Sequence, residues 1–466
     1  MSALWTSAEA QSATLGEATR AFEVTGLSID TRTLKPGDLF VALKGDARDG
    51  HDFVRAAFDA KAGAALVARA PADITKDSAL LVVANTQRGL EDLARASRAR
   101  SRAKIVAVTG SVGKTTTKEM LRLALGALGS TWASAASYNN HWGVPLSLAA
   151  MPRTTAFGVY EVGMNHFGEI RTLAGFVRPH VAFVTTIAPA HLEFFGSCEA
   201  IADAKSEIFE TIVPGGAALV PSDSPYAERL TARAKQAGVG RILSFGAAAK
   251  SDARLVSMSE GGDGMKIEAD ILGRSCTFRI GAPGAHIARN AVGAMLAVAA
   301  LEGDVVNAAA ALAAFSALKG RGARFGIRAG DGTATVIDES YNANPTSMAA
   351  ALALLGSSQP GSGGRRIAVL GDMLELGPEG GTLHANLARD VEAAKADLVF
   401  ACGAQMGALW DRLPPSCRGA YGKTSRDIVE QVAATLRDGD VVLVKGSLGS
   451  KMAVIVDALK SRATPA

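Results

Sequence analysis

The chain has little cysteine, and none of it is arranged for chemistry. Its 466 residues hold four, Cys198, Cys276, Cys402 and Cys417, widely separated and without a CxxC pair. That spacing signals neither a zinc site nor a redox motif, so reduced structural thiols are expected. Long apolar runs are missing as well. No segment approaches the ~20 apolar residues of a membrane span, and the N-terminal MSALWTSAEAQSATLG has no basic stretch followed by an apolar core. A cytoplasmic protein without membrane insertion is the expectation. Charge of one sign is absent too: 49 basic and 45 acidic side chains leave a formal net charge of +4, interspersed rather than blocked. This excludes a general nucleic-acid surface, and any anion binding must be local. No repeat of solenoid period is present.

What is there supports well-buried cores. Hydrophobic residues make up 48% and charged residues 20%, which argues against extensive disorder. The length calls for about two to four units, and the pattern reads as three α/β domains over 1–84, 85–316 and 317–466. In the first, the short apolar runs LFVAL and AALVA alternate with Gly/Asp turns. In the second, the helical RGLEDLARASRAR leads to the strand IVAVTG, and further apolar strands FGVYEVGM, VAFVTTI and GGAALVP predict a mostly parallel sheet. KGRGARFGIRAGDGT, near Gly320, reads as a hinge. Beyond it ATVIDESY, RIAVLGDM, ADLVFACG and DVVLVKGS supply four more buried strands, with SSQPGSGGRR as a surface loop.

The most informative segment is VAVTGSVGKTTTKEM. A strand runs into a glycine loop that opens a helix, so backbone N–H groups and the positive helix end can approach phosphate oxygens. Gly110, Ser111, Val112, Gly113, Lys114, Thr115 and Thr116 are the candidate nucleotide contacts, with Lys114 as a mobile cation and the Thr115 hydroxyl available to magnesium. The loop departs from GxxxxGK[ST], because Val108 stands where the first glycine would be.

The variant TGSVGKTT resembles the loop of the Mur ligases and the related folylpolyglutamate synthases. SYNNHWGVPLSL, YEVGMNHFGEI, TTIAPAHLEFFGS, AIADAKSEIFE, GAHIARNAVGA, KGRGARF, VIDESYNANPTSM, VLGDMLELG and VLVKGS follow in the family's order and span the chain to near its end. The resemblance implies a three-domain architecture with a central P-loop ATPase-type sheet and a Rossmann-like C-terminal domain. It also implies ATP-dependent amide formation through an acyl phosphate. ATP and two magnesium ions are the implied cofactors: Thr115 and Glu161 hold the first, and His191 with a carbamylated Lys205 holds the second.

By the same resemblance Lys114, Lys205, His191 and Arg321 are catalytic, Asn290 contacts adenine with His286 a helical turn earlier, and Asp338 binds the ribose. Asn139, Asn140, Tyr341, Asn342 and Asn344 border the substrates, and Ser28, Thr31, Arg32 and the stretch 44–51 are candidates for a UDP end. Ordinary alternatives accompany these assignments: Glu161 as a helix cap, His191 as a packed residue, Lys205 as a surface lysine paired with Glu207 or Glu210, and Ser28–Arg32 as a plain turn. His141, Ile287 and Leu448 depart from residues common in the family and receive no role.

SIDTR and VALKGDARDGHDF resemble the N-terminal domain of members that act after the second amino acid. SYNANPTSM and LGDMLELG resemble the branch that adds D-alanyl-D-alanine, where third-residue ligases carry a DNPR-like block. The implied partners are a UDP-N-acetylmuramoyl-tripeptide and D-alanyl-D-alanine, and a monomer is expected. The alternatives are a diaminopimelate- or lysine-adding member, or a non-synthetic P-loop switch ATPase.

Overall fold

The computed structural model describes residues 3–75, 77–135, 137–261 and 264–461. Three main sheets lie in chain order. The first has five strands, Glu17–Ala18, Leu80–Val82, Ala64–Val67, Asp38–Val41 and Gly26–Ser28 in spatial order, parallel except at the Glu17–Ala18 edge. DLFV and AALV are buried at every position, as strands covered on both faces must be.

The central sheet runs Thr131–Ala133, Phe157–Glu161, Lys104–Thr109, Val181–Val184, Ala217–Pro221 and Arg241–Gly246, all parallel. Alternate residues of each strand serve different cores. Val106, Val108 and Phe183 meet helices Lys114–Gly126 and Ala285–Ala300, whereas Ile105, Ala107 and Val184 meet Gly143–Ala149 and Glu169–Val177. The sheet then continues into Ala253–Gly261, Gly264–Ile271 and Arg274–Ile280, an antiparallel extension that the sequence reading did not anticipate. Its signal was present, since Met265, Ile267, Ala269 and Ile271 are buried in strict alternation.

The third sheet orders Ala323–Ala329, Gly332–Glu339, Val441–Lys445, Arg366–Gly371, Leu398–Cys402 and Arg418–Gly422, parallel after the first antiparallel pair. The glycine-rich stretch read as a hinge is therefore mostly a β-hairpin. Only 319–322 connects the units, with Gly320 (φ 74°) and Gly322 (φ 96°) in backbone that favours glycine.

The two junctions between units differ. Helix Thr86–Arg100 joins the first sheet to the second, placing Leu90 and Leu93 in the N-terminal core and Ala94 in a central one. Trp5 is buried there, its indole N–H donating to the Ala149 carbonyl at 2.9 Å with the Arg100 guanidinium 3.8 Å above its ring. The central and C-terminal units instead face each other across an open cleft.

Candidate active site

Strand Lys104–Thr109 ends at Gly110 (φ 146°), where a Cβ would lie 1.9 Å from Thr185 Oγ1. Gly113 (φ 87°) opens helix Lys114–Gly126 with no side-chain cap, so the first helical N–H groups are left for an anion. The loop is braced from the neighbouring strand end. The Thr185 hydroxyl donates to Val112 O at 2.6 Å, while Ser111 Oγ donates to Ala188 O at 2.9 Å and accepts from its N–H at 3.0 Å. Lys114 Nζ folds back to Gly110 O at 2.7 Å. Burial pulls its ammonium below the ordinary lysine value, an effect that nearby Glu161 opposes and Arg321 adds to.

Glu161, at the end of its strand, is 1% exposed. Its oxygens accept from Thr115 Oγ1 and Asn139 Nδ2, both at 2.7 Å, and Ser137 Oγ lies 3.5 Å from Thr115 Oγ1. It forms no ion pair among the described residues. A buried carboxylate ringed by neutral oxygen and amide groups is a charge short of a cation, and hard oxygen ligands fit magnesium.

Above this floor lies a cleft of about 910 Å³. The central unit lines it with Ser111–Lys114, Thr116, Asn139, Glu161 and His191, and the C-terminal unit with Arg321, Glu339, Tyr341, Asn342 and Lys445. Arg321 spans the two: its guanidinium lies 4.1 Å from the Tyr341 ring centroid and donates to Ser137 Oγ at 3.4 Å. His191 Nδ1 lies 2.5 Å from Glu375 Oε2, a contact that keeps the Glu375 carboxyl below the usual carboxylate range. A second cleft of about 510 Å³, lined by Ile187–Pro189, Tyr226, Asn290 and Ala350, meets the first at Val112, Gly113, His286 and Glu339. Asn290 reaches the phosphate loop directly, since a Cβ on Gly113 would lie 2.6 Å from its Nδ2.

Several candidates sit elsewhere than expected. Asp338 is fully buried and lines neither cleft; its oxygens accept from the Gly320 N–H at 3.0 Å and from Ser340 Oγ at 2.6 Å. It anchors the connector, and the carboxylate that faces both clefts is its neighbour Glu339, paired with the buried Lys445 at 3.2 Å. Asn344 and Asn140 line the cleft, but the Asn344 side-chain oxygen caps its helix by accepting from Ser347 N, and that of Asn140 accepts from Gly143 N in the turn before helix Gly143–Ala149.

Ser28, Thr31 and Arg32 line neither cleft. Ser28 Oγ donates to Asp30 O, and the exposed Arg32 is tied to the Asp30 carboxylate at 2.6 Å. Lys205 is 1% exposed rather than on a surface, and Glu207 and Glu210 are engaged with Gly168 and Arg171 instead. Burial, with Lys114 nearby, drives its ammonium well below the ordinary value. His141 and Ile287 line the first cleft, and Leu448 is exposed outside both. Ser137, Glu339 and Glu375 went unassigned in the sequence. SYNN and LGDMLELG carried the first and last as motif text, but nothing local to either showed its partner.

Three family models match the chain in order: Mur ligase family, catalytic domain over 23–104; Mur ligase middle domain over 108–298; and Mur ligase, glutamate ligase domain over 323–448. Curated proteins named UDP-N-acetylmuramoyl-tripeptide--D-alanyl-D-alanine ligase are similar along nearly their whole length. That of Rickettsia prowazekii is 33% identical over 92% of this chain and 94% of its own, and that of Escherichia coli 34% identical over 94% of each. A crystal structure of MurF from Acinetobacter baumannii superposes with a TM-score of 0.84 at 31% identity, covering 98% of this chain and 99% of that one. With the phosphate loop and the buried carboxylate beside it inside the middle-domain match, and Arg321 in the short connector between that match and the next, the chain belongs to the Mur ligase family.

Proposed function

We propose that the chain joins D-alanyl-D-alanine to UDP-N-acetylmuramoyl-tripeptide at the expense of ATP, giving the UDP-muramoyl-pentapeptide precursor of peptidoglycan, ADP and phosphate. The observation that carries this is the single cleft in which Lys114 and Glu161 of one unit face Arg321 and Tyr341 of another. A carboxylate does not condense with an amine in water, so the acyl carbon must first be made electrophilic. A substrate carboxylate oxygen attacks the γ-phosphorus and ADP leaves; the dipeptide amine then attacks the acyl carbon, loses a proton and expels phosphate.

The chain's part is positioning and charge neutralisation rather than nucleophilic attack. The N–H groups of 112–116 and the Lys114 ammonium hold the phosphates, and Arg321, set against the Tyr341 face, meets the transferring group from the opposite wall. Thr115 and Glu161 are the residues that would hold magnesium, which when bound supplies a Lewis acid for the phosphate oxygens. Asn290 and His286 place adenine in the second cleft, and Glu339, in place of Asp338, accepts from the ribose hydroxyls. Tyr341 and Asn342 border the dipeptide.

Lys205 is proposed to act as a carbamate. What supports this is a buried amine with no hydrogen bond or ion pair among the described residues, whose charged form is disfavoured by burial, since carbon dioxide adds to the neutral amine. Its product, an N-carboxylate with one proton released, is an anionic oxygen ligand that would join His191 at a second magnesium. The UDP end is assigned to 1–84, ATP to 85–316, and the dipeptide with part of ATP to 317–466. The loop at 44–49 supports the first of these: a Cβ on Gly45 would lie 2.9 Å from Trp142, beside cleft residues Asn140 and His141. We further assign the enzyme to the cytoplasm as a monomer; no helix among the described residues is long and apolar enough to cross a membrane.

The test is phosphate release with ATP, UDP-muramoyl-tripeptide and D-alanyl-D-alanine, with the product weighed by mass spectrometry. A pentapeptide formed only when both acceptor and dipeptide are present is expected. Phosphate release that needs neither would favour a P-loop switch, and addition of diaminopimelate or lysine to a muramoyl-dipeptide would favour a third-residue ligase.

A further inference from the structure

The strand Arg366–Gly371 of the C-terminal unit runs into a loop, 372–379, that crosses to the central unit and meets it at residues 191–193. The contact is built on unusual backbone. His191 (φ 60°) and Glu375 (φ 62°) are both left-handed without being glycine, a conformation that persists only where the surroundings enforce it. Besides the 2.5 Å approach of His191 Nδ1 to Glu375 Oε2, the Glu193 N–H donates to the Glu375 carbonyl at 3.1 Å. A Cβ on Gly377 would lie 3.3 Å from Glu193 Cα, so the two backbones are in close approach. Between these contacts Leu192 packs against a core of each unit.

The loop is also held from behind. The Met373 N–H donates to Nε2 of the fully buried His384 at 2.9 Å, and the Leu374 N–H donates to Ser447 Oγ at 2.9 Å. Glu375 is therefore presented by a fixed backbone, unlike a surface carboxylate that meets a histidine by chance.

We propose that Glu375 is a positioning residue that couples closure of the C-terminal unit to the readiness of His191. With the units together, the carboxylate accepts the Nδ1–H of His191. The ring's orientation and tautomer are fixed, and Nε2 is left as the basic nitrogen for the cleft that His191 lines. With the units apart, Glu375 departs with its loop and His191 loses both constraints. The second cation site thus becomes competent only when Arg321 has also arrived, because both ride on the same unit. This rests on the ligase reading for what His191 acts upon, and on geometry alone for the contact.

The experiment uses the full chain with one spin label on the central unit and one on the C-terminal unit, comparing wild type, Glu375→Ala and Glu375→Gln. The Gln side chain keeps an oxygen that can accept the Nδ1–H. In ligand-free protein the Ala variant should broaden the interunit distance distribution toward longer values, and the Gln variant should hold it near wild type. With an ATP analogue present, Mn2+ affinity read by paramagnetic resonance should fall about 10- to 100-fold in the Ala variant and recover largely in Gln, with kcat following it. Coincident melting curves would exclude a fold defect. A shift in distance without a shift in Mn2+ affinity, the reverse, or wild-type values for both would overturn the coupling. If wild type itself ligates no dipeptide, the ligase reading fails while the distance and Mn2+ measurements still decide this one.

Discussion

The N-terminal junction is packed and the C-terminal junction is polar, and the contrast separates holding from working. Trp5, Leu90, Leu146 and Ala149 share one core across the first boundary, so the first two units are in effect one body. Across the second boundary lie Arg321 on Ser137, His191 on Glu375 and Leu192, around a cleft large enough for substrates. Apolar burial gives a fixed geometry, whereas a few directional polar contacts can be made and broken within a catalytic cycle.

The largest effect should come from the working side. Lys114→Ala removes the cation of the phosphate loop and no core atom, so ligation should fall by about 10³-fold or more with an unchanged melting curve. Wild-type turnover would remove the phosphate loop from the account. Next, Arg321→Ala should cost about 10²-fold in kcat, again at constant stability, because its partners Ser137 and Tyr341 belong to the cleft rather than a core. A fall in melting temperature as large as the loss of activity would erase the distinction between the junctions.

The holding side predicts the opposite. Trp5→Ala should destabilise the chain by about 3–5 kcal/mol in denaturant melts, through lost burial and the orphaned Ala149 carbonyl. Turnover per folded molecule should stay near wild type.

The smallest effect is one of pH. Burial lowers the pKa of His384, which stays neutral to accept from Met373. A histidine whose folded pKa is depressed leaves the unfolded chain to take up the proton first. Its contribution is therefore complete above the ordinary value of about 6.5 and is lost as pH falls below it. Melting temperature should drop between pH 7 and 5, and His384→Gln, which can still accept and donate but does not titrate, should flatten that slope. An unchanged slope would assign the loss to other groups, His180 among them.

The sequence made the phosphate loop legible because its chemistry is local: strand, two glycines, lysine and helix are contiguous. Glu161 stands at the end of a strand that the apolar pattern marks, whereas Arg321 was reached only through the resemblance of KGRGARF to a block of the family. Asp338 and Glu339 show what such reading does not resolve. Neighbours on a strand face opposite sides, so a shift of one residue exchanged the carboxylate in the cleft for the one behind it. Lys205 showed a short helix but not its depth. Glu375 and Ser137 were out of reach because their meaning lies in partners 184 residues away, across a junction no local pattern encodes. The antiparallel strands at 253–280 were a different failure, since their alternation stands in the sequence.

The most direct test of the central claim, that the work is done where the central and C-terminal units meet, is a crystal structure with magnesium and a non-hydrolysable ATP analogue. The account predicts phosphates on the N–H groups of 112–116, adenine in the second cleft beside Asn290, and the Arg321 guanidinium on the γ-phosphate. A nucleotide bound with its γ-phosphate remote from Arg321, or contacted by the central unit alone, would contradict it.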